Sequence, residues 1–134
     1  MITTSGLKSA LYSGDEKRMM LMLRAGADPD CVGPVGFSAV MHFASRGNVE
    51  NVQEIVRLGA DVNIQEVDKW TALMFACFRG DIQSVVILMN NGADVKLRNK
   101  KGATALDISK QEKHDAIVEI LKSYQVKGNL RRKY

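Results

Sequence analysis

The 134-residue chain holds two cysteines, two prolines and one tryptophan, and its aromatic residues together make up 6%. Cys31 and Cys77 are too few for a disulfide scaffold, and their scarcity suits a reducing compartment, the cytosol or the nucleus. No apolar run approaches the roughly 18 residues that a membrane-spanning helix needs, so no span is expected. Residues 1–8 contain no basic segment followed by an apolar one, and no secretory signal is read there. Also missing are a glycine-rich phosphate loop ending in Gly-Lys-Ser/Thr, a Gly-x-Gly-x-x-Gly turn, a Gly-x-Ser-x-Gly elbow and a His-Glu-x-x-His helix. Cysteine and histidine number four in all, with His42 and His114 far apart in the chain, so neither a metal site nor a cofactor is expected. Cys77 falls on a small core position, Cys31 on a loop where it is oxidisable, and in this register nothing approaches His42 to make it a base. The carboxylate pairs Asp28 with Asp30 and Glu66 with Asp68 fall on loops, where solvation accounts for them. The chain is therefore expected not to be an enzyme.

What is present is 46% hydrophobic and 25% charged residues, the balance of a soluble globular domain. The net charge of +4 is unevenly spread. Residues 1–95 carry 8 basic and 11 acidic side chains, net −3, whereas residues 96–134 carry 11 basic and 4 acidic, net +7. Lys96, Arg98, Lys100 and Lys101 form one basic cluster, and Lys127, Arg131, Arg132 and Lys133 a basic tail over 127–134. Such a distribution attracts phosphate or an acidic surface, although solvation alone also explains a short basic tail.

The strongest signal is a repeat of 33 residues. Gly-Ala-Asp recurs at Gly26, Gly59 and Gly92; Gly14, Gly47 and Gly80 keep the same period, as do Ser38-Ala39, Thr71-Ala72 and Thr104-Ala105. Four units follow, about 5–30, 31–63, 64–96 and 97–123, in a single domain over 1–126. The Ser or Thr of each unit predicts a helix N-cap, with Ser5 opening the series. The first helix runs to the inter-helix glycine, with Val40, Phe43 and Ala44, or Leu73, Ala76 and Cys77, on one face. A second helix presents Val49, Val52, Ile55 and Val56, or Ile82, Val85, Leu88 and Met89. Met19, Met20 and Met22 of the first unit read as adaptable core. Gly59 and Gly92 then end the helix, since glycine adopts the left-handed conformation without Cβ strain. A hairpin loop leads to the next cap. One such unit cannot bury its own apolar face, so the prediction is an all-α solenoid of four stacked helix-turn-helix units joined by hairpins.

These residues resemble the ankyrin repeat family over about residues 5–123. In the third unit the family pattern stands as Trp70-Thr71-Ala72-Leu73-Met74-Phe75-Ala76-Cys77, then Gly80, then Gly92-Ala93-Asp94-Val95. Alanine takes the family's proline position at Ala39, Ala72 and Ala105, and Met41, Met74 and Asp107 take its histidine position, so the usual Thr–His hydrogen-bond network is not expected. The fourth unit has Lys113 in place of the inter-helix glycine, which predicts that it frays first.

The resemblance implies a protein-interaction module or adaptor whose concave groove is lined by the residues before each cap, the pair before the inter-helix glycine and the hairpin tips. Here those columns hold Tyr12, Phe37, Arg46, Trp70, Phe78 and Arg79, with Val35, Val67, Asp68, Lys100 and Lys101 at the tips. Aromatic residues and arginine are the types enriched at binding hot spots. The partner implied is another protein or peptide, received by a monomeric module. The alternative is anion or nucleic-acid binding through the basic fourth unit and tail.

Overall fold

Each unit starts where a hydroxyl can stand in for a missing backbone partner. The computed structural model describes the backbone of residues 2–133 and the side chains of residues 3–124. Ser38 Oγ accepts from the Met41 N–H at 3.3 Å, Thr71 Oγ1 from Met74 at 3.2 Å and Thr104 Oγ1 from Asp107 at 3.2 Å, opening α3 (Ala39–Arg46), α5 (Ala72–Arg79) and α7 (Ala105–Gln111). In the last of these Asp107 Oδ2 accepts in turn from the Thr104 N–H at 3.0 Å, closing a capping box where the family has histidine. The first unit differs from expectation. Its helix α1 (Ile2–Ser13) already encloses Ser5, which therefore caps nothing.

A tight turn follows each first helix. Gly47 and Gly80 sit there at φ 70° and 80°, and Lys113 occupies the same place at φ 60°. Asp15, Asn48 and Asp81 then cap the second helices α2 (Glu16–Arg24), α4 (Val49–Arg57) and α6 (Ile82–Asn90) by accepting from Arg18, Asn51 and Ser84. The fourth unit's second helix, α8, runs Asp115–Lys133, so its backbone stays helical where the sequence places the basic tail; the side chains there lie outside the described residues.

The helices form two rows. Within units, α1 packs on α2, α3 on α4, α5 on α6 and α7 on α8; between units, α3 meets α5 and α5 meets α7 in one row, while α4 meets α6 and α6 meets α8 in the other. The seam between the rows is the core. Val40, Phe43, Ala44, Leu73, Ala76, Cys77, Val52, Ile55, Val85 and Leu88 are all buried there, as the periodicity predicts, and Met19 and Met20 fill its first unit. Each fully buried Leu, Ile or Val contributes about 1.5–3 kcal/mol. Ile82 departs from the pattern: at the first position of α6 it remains 45% exposed.

Between units the chain makes three projecting hairpin fingers. The base of each closes by one backbone bond, from Gly33 to Phe37, Glu66 to Trp70 and Asn99 to Ala103. Neighbouring tips join, with the Val67 N–H donating to Val35 O and the Lys100 N–H to Asp68 O, both at 2.9 Å. Glu66, expected to be solvated, instead folds back into its finger, where Oε1 accepts from the Asp68 and Trp70 N–H groups at 2.8 Å each. Asn99 does the same for Lys101 and Ala103. Gly33 holds this position in the first finger because a Cβ there would come within 2.7 Å of Leu11 Cβ. Among the described residues no helix is long and apolar enough to cross a membrane.

Candidate functional site

The finger bases bring aromatic residues from two adjacent units into contact. Phe37, at the base of the first finger, meets the edge of Phe75 in α5 at a centroid separation of 5.2 Å. Trp70, one finger on, lies 5.0 Å from Phe75 on a tilted approach and 5.9 Å from Phe78 in a T-shaped one. The four rings thus form a continuous band, and edge-on packing of this kind adds roughly 0.5–1.5 kcal/mol per pair beyond area burial. Phe78 remains 52% exposed at the end of the band.

Two clefts open on either side of Trp70. One is lined by Ser45, Trp70, Phe75, Phe78 and Arg79. Its polar groups are partly engaged from within, since the Ser45 hydroxyl donates to His42 O at 2.8 Å and Arg79 Nη1 donates to Ser45 O at 3.3 Å. The Arg79 side chain also lies over Gly47, where a Cβ would collide with it. The other cleft is lined by Asp68, Trp70, Asn99, Lys100 and Lys101, between the second and third finger tips. The structure therefore unites six of the nine residues singled out from the sequence around one tryptophan: Asp68, Trp70, Phe78, Arg79, Lys100 and Lys101. Phe37 joins through Phe75.

Two of the nine stand elsewhere. Arg46 lies 3.6 Å from the Glu16 carboxylate, the same oxygen that sits 2.8 Å from His42 Nε2. The sequence reading, in which nothing approaches His42, is corrected by this contact between the first and second units. Tyr12, 62% exposed near the end of α1, makes no ring contact with the band. Phe75 is the residue the sequence reading missed. Its repeat column holds Ser9, His42, Phe75 and Ile108, four unlike residues in a helical position, and that variability was the available signal.

The other reactive groups belong to the framework. Cys77 is fully buried, and burial pushes its thiol up to about 11 despite the Ser109 hydroxyl beside it. Burial also raises the half-buried Cys31 thiol. On the second-helix row Arg24 bonds both oxygens of Glu54 at 2.6 and 2.7 Å and holds that carboxyl below its ordinary range. Among the described residues no three His, Cys, Asp or Glu side chains gather as a metal ion would require.

A family model for ankyrin repeats in three copies matches residues 7–99 and again 41–132. The chain belongs to the ankyrin repeat family. A search of curated proteins finds no match. Ankyrin repeats generally act as protein–protein interaction modules, so the aromatic band and its clefts lie on a scaffold whose common use is to hold another protein.

Proposed function

We propose that this ankyrin repeat chain is a non-enzymatic docking module that receives a partner protein or peptide on its concave face, over the Phe37–Phe75–Trp70–Phe78 band and the neighbouring finger tips. The observation that carries the reading is the band itself, three partly buried rings with Phe78 exposed at its end. A clustered apolar surface beside arginine and lysine gains most when a partner removes it from water, and Trp and Arg are the residues that most often dominate such gains. The band sits on adjacent rigid helices and finger bases, so a partner meets it with little reordering.

The test is a pull-down from native lysate at low and high salt, comparing the wild type with Trp70→Ala and Phe78→Ala variants of unchanged circular dichroism. A salt-tolerant protein lost from both variants is the expected result. Retention of the same proteins on the folded variants would move the site away from the band.

A second reading, anion or nucleic-acid binding, draws on Lys96, Arg98, Lys100 and Lys101, all exposed along the third finger. It predicts capture that falls steeply with salt, is lost on deleting residues 127–134, and is indifferent to Phe78→Ala.

A further inference from the structure

The two clefts beside Trp70 differ in chemistry, and together they select a class of partner. We propose that the site takes an extended peptide in which an apolar anchor and an acidic side chain lie two positions apart on one face, the anchor in the Phe75–Phe78 cleft and the carboxylate between Lys100 and Lys101. This rests on the docking reading above and specifies its ligand.

The first cleft offers ring surface from Trp70, Phe75 and Phe78, with Ser45 and Arg79 at its edge, where the Ser45 hydroxyl donates to His42 O and Arg79 Nη1 to Ser45 O. An aliphatic or aromatic side chain fits the three rings, since packing against them removes apolar surface from water on both sides. The second cleft is different. Asn99 directs its carbonyl oxygen inward to Lys101 N–H and Ala103 N–H, leaving two lysines against the single carboxylate of Asp68 as the charged groups lining it. Lys69 and Arg98 add positive charge on the same two fingers, Arg98 while donating to Gly102 O. An anionic side chain is the complement. Because Trp70 is a wall of both clefts, the two side chains must come from nearby positions of the partner. In an extended segment, positions i and i+2 point the same way about 7 Å apart, a spacing that straddles one indole.

Charge further down the stack argues for a peptide over a nucleic acid. Residues 1–95, which contribute the whole aromatic band, carry 11 acidic and 8 basic side chains, so a polyanion leaving the lysines would run onto a net negative body. Trp70 is also not an open stacking platform, because Phe75 lies 5.0 Å from its ring and Phe78 meets it edge-on.

The test is selection of a displayed library of random twelve-residue peptides on the intact chain, followed by titration of the selected peptides and of a fluorescent 20-nucleotide oligo-dT. The expected consensus has Leu, Ile, Met or Phe with Asp or Glu two positions away. Phe78→Ala and the double variant Lys100→Glu/Lys101→Glu should each weaken the selected peptides by about tenfold or more, and selection on the double variant should replace the acid with Lys or Arg. An apolar consensus lost on Phe78→Ala but insensitive to the lysine reversal overturns this inference and leaves the docking reading standing. Failure to enrich any sequence, or enriched peptides that bind Phe78→Ala as well as wild type, overturns both. Oligo-dT binding tighter than any selected peptide overturns the peptide class in favour of nucleic acid.

Discussion

Cys77 shows how far one side chain is governed by its surroundings. Held in the seam between the helix rows with no exposure, its thiol ionises near 11 in the folded chain against an ordinary 9.0. The folded state thus favours the neutral thiol, and the stability this confers is complete below pH 9 and lost as pH rises toward 11. In a Cys31→Ala background, chemical unfolding at pH 8 to 11 should show stability falling by about 2 kcal/mol more than in a Cys31→Ala/Cys77→Ala chain. Parallel curves would show that burial does not keep this thiol neutral. Pro34 acts by what it lacks. It occupies the register position of Val67 and Lys100, the donors that join each finger tip to the one before it, and a proline has no N–H with which to make that bond.

The fingers act as a unit through a second ladder, at their roots. Asp30 Oδ1 accepts from the Asp61 N–H at 2.7 Å, and one repeat later Asn63 Oδ1 accepts from Asp94 at 2.8 Å while its amide donates to Gly92 O at 3.0 Å. Lys96 stands next in register, at the end of the third unit, and cannot accept, so this ladder is not continued from it to the fourth. Asn63 makes two inter-unit bonds to the one from Asp30, each worth roughly 0.5–1.5 kcal/mol. Asn63→Ala should therefore cost about 1–2 kcal/mol and Asp30→Ala about half as much, read from the midpoint of urea unfolding at constant slope. A larger loss from Asp30 would show that the first inter-unit joint, not the second, limits finger registry.

Among the described residues the closest helix packing lies within units and between successive units, so stability is close to a sum of unit and interface contributions. The fourth unit carries Lys113, a non-glycine residue, in the left-handed region where Gly47 and Gly80 stand in the units before it. Amides of α7 and of the first turns of α8 should exchange ahead of those in α3 to α6. Lys113→Gly should relieve a cost of about 1 kcal/mol, slowing their exchange roughly fivefold. Uniform exchange along the stack, unchanged by the substitution, would show that the four units open together.

The sequence by itself determined the period, the place of every turn and most helix starts, because these follow from chemistry within a few residues: a hydroxyl or carboxylate capping the next turn, a glycine where φ is positive, apolar residues three and four apart. The exception, Ser5, lies inside α1, whose helical backbone already runs from Ile2. The family resemblance pointed to the columns holding Trp70, Phe78 and Arg79 and to Asp68, Lys100 and Lys101 at the tips, residues that line the two clefts at Trp70. Only the tertiary structure decided that Phe75 is the ring on which the band turns, that Glu16 reaches His42 and Arg46, and that Glu66 serves its own finger while Asp68 faces a cleft. The Phe37–Phe75 contact and the reach of Glu16 to His42 and Arg46 depend on how one unit is rotated and set against the next. That rotation comes from packing across the seam, which a 33-residue pattern repeats but does not orient.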